Sequence, residues 1–301
     1  MHSLLDTGVL LRISKIIFSN LVTCRNIGEM NIAGLYRNAP IQKETCLLSI
    51  AISFLWPLKR VSKENTGNII VPKKETNLEI ADKLYENGHY EECLKLLSNS
   101  EDLGNVEVQW RLCRILYNFS KEPIHKEKKV EFINKAHDII SKQIENNQDN
   151  YAVHKWYALI LDAKSAQEGI KERIKQLENV KKHMDLAVTL NPNDATTLHM
   201  LGEWCYQITE MPWHQRKIAE IFFESPPNST YEDALEYFLR AESVQPRFYS
   251  VNLLRLGICY LKLEKEDQAK YYLKLAASYP AKSNDDHQVN KDAAELLKKL
   301  K

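Results

Sequence analysis

The sequence predicts an all-α chain, a solenoid of helical pairs with insertions and a C-terminal capping helix. Three observations predict it. Apolar residues recur at three- and four-residue spacing along most of the chain from residue 77 onward. Nine Gly and ten Pro in 301 residues are few for a sheet with many turns. The helical segments come in pairs that repeat one order of large, small and aromatic residues, so each pair must bury its apolar face against the next.

That order is plainest between Asp194 and Pro246. The first half, Asp194-Ala-Thr-Thr-Leu-His-Met-Leu-Gly-Glu-Trp-Cys-Tyr206, carries Leu198, Leu201, Gly202 and Cys205 on one helical face. The second carries Tyr231, Ala234, Phe238 and Ala241 and stops at Pro246. Gly202 and Ala234 are small where two antiparallel helices approach, and Leu198 and Phe238 fill the space beside them. This is the pattern of a tetratricopeptide-like repeat. An insertion separates the halves and holds Glu210-Met-Pro-Trp-His-Gln-Arg-Lys217 and Ser225-Pro-Pro-Asn-Ser-Thr230.

In chain order, residues 1–44 read as a targeting or disordered N-terminal segment. Leu4, Leu5, Val9, Leu10, Leu11, Ile13, Ile16, Ile17 and Phe18, with Arg12 and Lys15 among them, make an amphipathic, basic start of presequence type. Asp6 and Glu29 count against that reading, and both alternatives stand. Residues 45–60 form a short apolar segment, almost unbroken from Cys46 to Trp56. A spanning helix needs roughly 17–25 residues, so this run is too short to cross a bilayer unaided. Membrane association through Cys46 to Trp56 stays open beside packing on the domain. Residues 61–76 are a polar linker, and residues 77–301 are the repeat domain.

Within that domain the first pair uses Ile80, Ala81 and Leu84, turns at Asn87-Gly88, and returns through Tyr90, Cys93, Leu94 and Leu97. A second begins near Val106 with Trp110, Cys113, Leu116 and Tyr117, is interrupted by a charged loop over 121–129, and returns through Ile133, Ala136 and Ile140. A third runs from Ala152 through Trp156, Leu159 and Ile160, then back through Ile174, Leu177, Val180, Met184 and Ala187 to Pro192. The fourth is the stretch described above. The fifth uses Leu253, Leu256, Gly257 and Tyr260, then Ala269, Tyr272, Leu273 and Ala276. A last helix over 290–301 caps the stack, its terminal lysines complementing the helix dipole.

Composition bounds the function. Hydrophobic content of 44%, charged content of 27% and net charge +1 fit a globular chain and give no bulk attraction to nucleic acid. The six cysteines include no pair two or three residues apart, so zinc-ribbon and redox motifs are absent. Cys93, Cys205 and Cys259 sit in apolar stripes and read as reduced core residues. The histidines are scattered, and neither a phosphate loop nor a nucleophile elbow occurs. No catalytic, metal or cofactor residue is assigned, and the chain reads as a non-enzyme.

Binding residues are sought instead on the first helix of each pair, which faces the groove in this architecture. Position in the repeat selects His154, Tyr157, Leu161 and Lys164 in the third pair, His199, Glu203 and Tyr206 in the fourth, and Leu254, Ile258 and Leu261 in the fifth. Such a mixed lining suits a peptide segment or a phospholipid. The alternative is that the groove is filled and these residues are core. Trp213, Arg216 and Lys217 form a second candidate, an aromatic beside two cations that would grip an acidic partner. Its alternative is a short helix tucked on the stack, with Trp213 buried and Arg216 paired internally. Lys121, Lys126, Lys128 and Lys129 are diluted by Glu122 and Glu127 and read as a solvated loop.

At particular residues the chain resembles the regulator of microtubule dynamics family, as a short, type 1-like member. The resemblance rests on His154-Lys-Trp-Tyr-Ala158, Asn191-Pro-Asn-Asp-Ala195, Leu201-Gly-Glu-Trp-Cys-Tyr206 and Glu210-Met-Pro-Trp-His-Gln-Arg-Lys-Ile-Ala219. It continues through Phe222-Phe-Glu-Ser-Pro-Pro-Asn-Ser-Thr-Tyr-Glu-Asp-Ala234 and Phe248-Tyr-Ser250. The resemblance implies a non-enzymatic protein that binds tubulin and microtubules and acts in spindle organisation and chromosome segregation. It places such a protein in the cytoplasm, at the cytoskeleton and spindle pole, or at mitochondria. Longer members with a membrane anchor bind lipid, which implies the alternative of a lipid-binding or tethering module at the mitochondrial surface.

Overall fold

The computed structural model describes residues 75–300. The expectations for residues 1–44, for the apolar run from Cys46 to Trp56 and for most of the linker lie outside the described residues.

Thr76 opens the first helix, α1 (Asn77–Glu86), with a capping box: its side chain accepts from the Glu79 N–H while its own N–H donates to the Glu79 carboxylate. The chain then turns at Gly88, whose φ of +79° lies in the left-handed region. Helix α2 (Tyr90–Ser98) returns and completes the first pair. The second pair is α3 (Val106–Phe119) and α4 (Lys129–Asn146). The charged stretch between them, expected as a loop, winds into a 3-10 segment (Pro123–Lys128) begun by Pro123. Helix α3 is buried on every side from Trp110 to Phe119, because it serves two cores.

The third pair differs from the expected single return helix. Gly169, at φ +112°, ends α5 (Tyr151–Glu168), and the return is split at Gln176 into α6 (Ile170–Lys175) and α7 (Leu177–Leu190). The Arg173 guanidinium holds α6 back on α5 by donating to both oxygens of Asp162, at 2.8 and 3.1 Å. The fourth pair is α8 (Ala195–Thr209) and α10 (Tyr231–Val244), with α9 (Trp213–Phe222) in the insertion between them. Thr230 and Asp233 form the capping box of α10. The fifth is α11 (Ser250–Lys262) and α12 (Glu266–Ala277). The capping helix α13 (Asn284–Lys299) starts at Asn284 rather than at residue 290. Ser283 and Asp286 form a capping box there, one turn before Val289, the first buried apolar residue of that helix.

The described elements are all helical, and each first helix packs on its own return. The fit is closest at two equivalent glycines. A Cβ on Gly202 would stand 2.7 Å from the Phe238 ring, and one on Gly257 would stand 2.6 Å from Leu273. Ala234 and Ala276 are fully buried on the facing helices, as the repeat order predicts. Cys93, Cys113, Cys205 and Cys259 are free and buried.

Polar contacts between first helices fix their relative direction. Asp82 and Tyr85 of α1 meet Arg111 and Asn118 of α3. His199, Glu203 and Glu210 of α8 and its cap meet Asn252, Arg255 and Lys262 of α11. Residue numbers rise together on both partners, so these helices run parallel. Lys155, near the start of α5, bonds Asp194, the N-cap of α8, which extends the same direction to the third and fourth pairs.

The core lies between the pairs in two clusters. Ala81, Tyr85, Cys93 and Leu97 pack on one face of α3, with Leu112 and Ile115. The other cluster continues from Trp110 through α5, α8, α10 and α11 to Ala293 of α13.

Candidate functional site

The residues selected for a groove lie on the faces of α5, α8 and α11 that meet their neighbours. His154, Leu161, His199, Tyr206, Leu254 and Ile258 are buried. Tyr157, Lys164 and Leu261 are half-buried. What joins the polar members is a ladder of contacts between helices.

Its central rung is an ion pair. Arg255 donates from Nε to Glu203 Oε2 at 2.8 Å and from Nη2 to Glu203 Oε1 at 3.1 Å. Both side chains are 2% exposed. Burial works against the charge on Arg255, and the Glu203 carboxylate outweighs it, holding the guanidinium above its usual pKa. The guanidinium carbon also lies 4.2 Å from the Tyr206 ring centre, a cation–π contact. Gln207 donates to Glu203 Oε1 at 3.0 Å and accepts from Arg173 at 3.1 Å, which ties this rung to Asp162.

The rung above it is His199. Asn252 donates to the Phe238 carbonyl at 3.1 Å, so its Oδ1 faces His199 Nδ1, 2.9 Å away. Nδ1 therefore carries the proton and Nε2 keeps a bare, buried lone pair with no hydrogen-bond partner. Burial, reinforced by Arg255, lowers the His199 pKa to about 4. Below the ion pair, Lys262 donates to Glu210 at 2.8 Å, and the Tyr231 hydroxyl donates to the same carboxylate oxygen.

His154 belongs to another rung. Its Nε2 donates to the Gln148 carbonyl at 2.9 Å, so its Nδ1 accepts from His183 Nδ1 at 2.8 Å. The ring centres are 5.1 Å apart, about that distance plus two ring radii, so the imidazoles meet edge to edge. Burial and the adjacent His154 lower the His183 pKa to about 4. Tyr157 sits edge-on to His183 at 4.5 Å, and Lys164 pairs with Glu168.

Reasoning from the sequence missed these pairings. Arg255 stands between Leu254 and Leu256 in an apolar helix, which is the signal of a buried charge needing a partner. His183 lies 29 residues from His154, and nothing in sequence joins them. Among the described residues no group of three or more His, Cys, Asp or Glu is arranged to hold a metal ion.

The second candidate lies on α9. The reading that buried Trp213 is corrected: its side chain is 77% exposed. Helix α9 buries only Ala219 against the stack, and Trp213, Lys217 and Ile221, four residues apart, share its outer stripe. Arg216 does not reach outward to fork a carboxylate. It donates to the Ile208 carbonyl at 3.2 Å, satisfying the C-terminal end of α8. Lys217 pairs with Glu220 at 2.8 Å on an open surface, where such a pair is weak and exchangeable.

The sequence profile of the family described as Regulator of microtubule dynamics protein 1-3 matches residues 77–301. The chain is 42% identical over 225 residues to Regulator of microtubule dynamics protein 1 of Bos taurus, across 74% of this chain and 71% of that one. It is 33% identical over 202 residues to Regulator of microtubule dynamics protein 3 of Mus musculus, across 67% of this chain and 43% of that one. Among solved structures, a thermophilic TPR protein of Thermus thermophilus aligns with TM-score 0.49 and 16% identity, over 73% of this chain and 97% of that chain. With the profile spanning the whole described helical domain and that identity to protein 1 behind it, the chain belongs to the regulator of microtubule dynamics protein 1-3 family.

Proposed function

We propose that the protein is a non-enzymatic helical scaffold that associates with microtubules and regulates their dynamics, acting in spindle organisation and chromosome segregation. The family match over residues 77–301 carries this reading, through the name of protein 1, to which the chain is 42% identical. The ladder supports a scaffold: charged side chains on the first helices are tied to each other across the pairs, which fixes the spacing of the surface they carry. The contact to an acidic partner surface falls to Trp213 and Lys217, since Arg216 is bound to Ile208. Tubulin supplies such a surface in this reading. This reading puts the protein in the cytoplasm and on the cytoskeleton at the spindle and spindle pole, at the mitochondrion, or at both.

The test is co-sedimentation of the full chain with taxol-stabilised microtubules at low and moderate salt. Pelleting that salt releases is the expected result, because exposed charge contacts are screened within about 10 Å at 0.1 M salt. A chain that stays in the supernatant at low salt refutes direct association. The second reading, a phospholipid or peptide segment held along Tyr157, Leu161, Leu254, Ile258 and Leu261, predicts lipid in mass spectra of the purified protein. Burial of Leu161, Leu254 and Ile258 weighs against it.

A further inference from the structure

The return helices α7 and α10 each pack on their own first helix, α7 on α5 and α10 on α8. Between them opens a cleft of about 630 Å³. Trp204 and Cys205 of α8 form its floor, and Pro227, Asn228 and Ser229 border it. The Trp204 indole is fixed there, because its Nε1 donates to the Leu177 carbonyl at 3.1 Å. Leu186 lines the α7 wall and Tyr237 the α10 wall. Burial, followed by the Asp185 charge, raises the pKa of the Tyr237 hydroxyl, so the two walls face the same space.

The cleft is short of positive charge. The carboxylates of Glu178, Asp185, Asp233 and Glu236 line it, against the ammonium groups of Lys181 and Lys182. Two of the acids are engaged within the fold: Asp185 accepts from Lys181 at 2.7 Å, and Asp233 completes the capping box of α10. Glu178 and Glu236 stand exposed on opposite walls, and among the described residues neither is bonded to a donor or a cation. Lys181 shows what the floor accepts, since its ammonium lies 5.6 Å from the Trp204 ring centre while it holds Asp185. A second cation on an apolar stem matches the rest of the lining, its stem along Leu186 and Pro227 and its head at Glu178 and Glu236. The border supplies main-chain contacts. Residues 224–229 lie outside the helices and, among the described residues, make no backbone–backbone hydrogen bond. Pro226 and Pro227 bias this stretch toward an extended conformation. Extended backbone with free carbonyls beside a pocket can add a peptide segment by its main chain while one side chain enters the pocket. Arginine suits the site better than lysine, because its planar guanidinium both stacks on an aromatic ring and forks a carboxylate. An acidic segment would meet four carboxylates instead.

We propose that the cleft between α7 and α10 binds an extended basic peptide, with one arginine lying against Tyr237 between Glu178 and Glu236. The site is separate from the α9 stripe and takes a partner of the opposite charge, so it does not depend on the microtubule reading.

The experiment is fluorescence polarisation of the full chain with a labelled nonapeptide of alternating arginine and serine, beside the same peptide carrying glutamate in place of arginine. The arginine peptide should bind, more weakly as salt rises, and the glutamate peptide should bind roughly tenfold or more weaker. The double variant Glu178→Lys, Glu236→Lys should bind the arginine peptide roughly tenfold or more weaker than the wild type. Its thermal midpoint should stay at the wild-type value, because both side chains are exposed. Glu131→Lys, Glu145→Lys makes the same change of net charge at exposed positions of α4 and should bind within about twofold of the wild type. The proposal is overturned if the wild type does not prefer the arginine peptide, or if the cleft variant binds it as the wild type does. It is equally overturned if the α4 variant loses as much affinity as the cleft variant, which makes the attraction one of net charge rather than of this cleft.

Discussion

Replacing Glu203 with Ala tests the ladder at its most buried rung. The substitution removes both acceptors of Arg255 and leaves a guanidinium that is 1% exposed. Breaking a buried pair from one side costs about 3–5 kcal/mol, because the surviving charge has lost its water and its partner together. The Tyr206 ring at 4.2 Å remains and returns roughly 1 kcal/mol, so the expected loss is near the lower end of that range. Against a typical total of about 5–15 kcal/mol this is a large fraction. Urea unfolding followed by circular dichroism gives the number, provided the slope with denaturant is unchanged. The double variant Glu203→Leu, Arg255→Met removes both charges and keeps the volume, and should recover to within about 1 kcal/mol of wild type. A loss under about 1 kcal/mol for Glu203→Ala would show that the guanidinium finds water. A double variant as unstable as the single one would show that packing, not charge, decides the site.

Three further outcomes follow from the same geometry. Gly202→Ala pushes a methyl to 2.7 Å from the Phe238 ring and should cost about 1–3 kcal/mol despite the better helix propensity of Ala, read as a lowered thermal midpoint; Phe238→Leu in the same chain should return part of it. His199 and His183 have folded pKa values lowered to about 4 against about 6.5 unfolded, so the unfolded chain binds more protons between those values. Their stabilisation is complete above about pH 6.5 and is lost as pH falls toward 4, at up to about 1.4 kcal/mol per pH unit for the fully buried His199 and less for the half-buried His183, whose charge water screens. Denaturation series between those limits should show this slope, and His199→Gln should flatten it; an unchanged slope refutes the assignment. Trp213→Ser should shift stability by no more than about 0.5 kcal/mol, since the side chain is 77% exposed, and a larger drop in the urea midpoint would mean the ring supports the fold.

The fold was legible because its determinants are local. The order of Leu, Gly, Ala, Phe and Pro marks where helices touch, and Gly202 and Gly257 stand where a Cβ would strike the facing helix. The start of α13 was not, since its first turn is polar and only the Ser283–Asp286 box announces it. The site was harder because its partners are distant. Position in the repeat puts His199, Glu203 and Tyr206 on one face, yet what they meet is decided by Asn252 and Arg255, about fifty residues away. Trp213 escapes sequence reasoning for a different reason. An amphipathic pattern says that one face is apolar without saying whether anything covers it, and α9 buries only Ala219.

The separate core of the first pair has its own consequence. Ala81, Tyr85, Cys93 and Leu97 share a cluster with α3 that does not reach the third pair, and the Asp82 carboxylate bridging Arg111 and Arg114 is 31% exposed against 2% for Glu203. Thermal opening in a stacked chain begins where a unit is joined on one side only and by the wettest contacts. Among the described residues, helices α1 and α2 are then the terminal unit, expected to open first in native-state hydrogen exchange, and α3 beneath them becomes a new end, its Leu112 and Ile115 briefly bare. A load applied at Thr76 would therefore be relieved by shedding one helical pair while the Glu203–Arg255 rung stays closed.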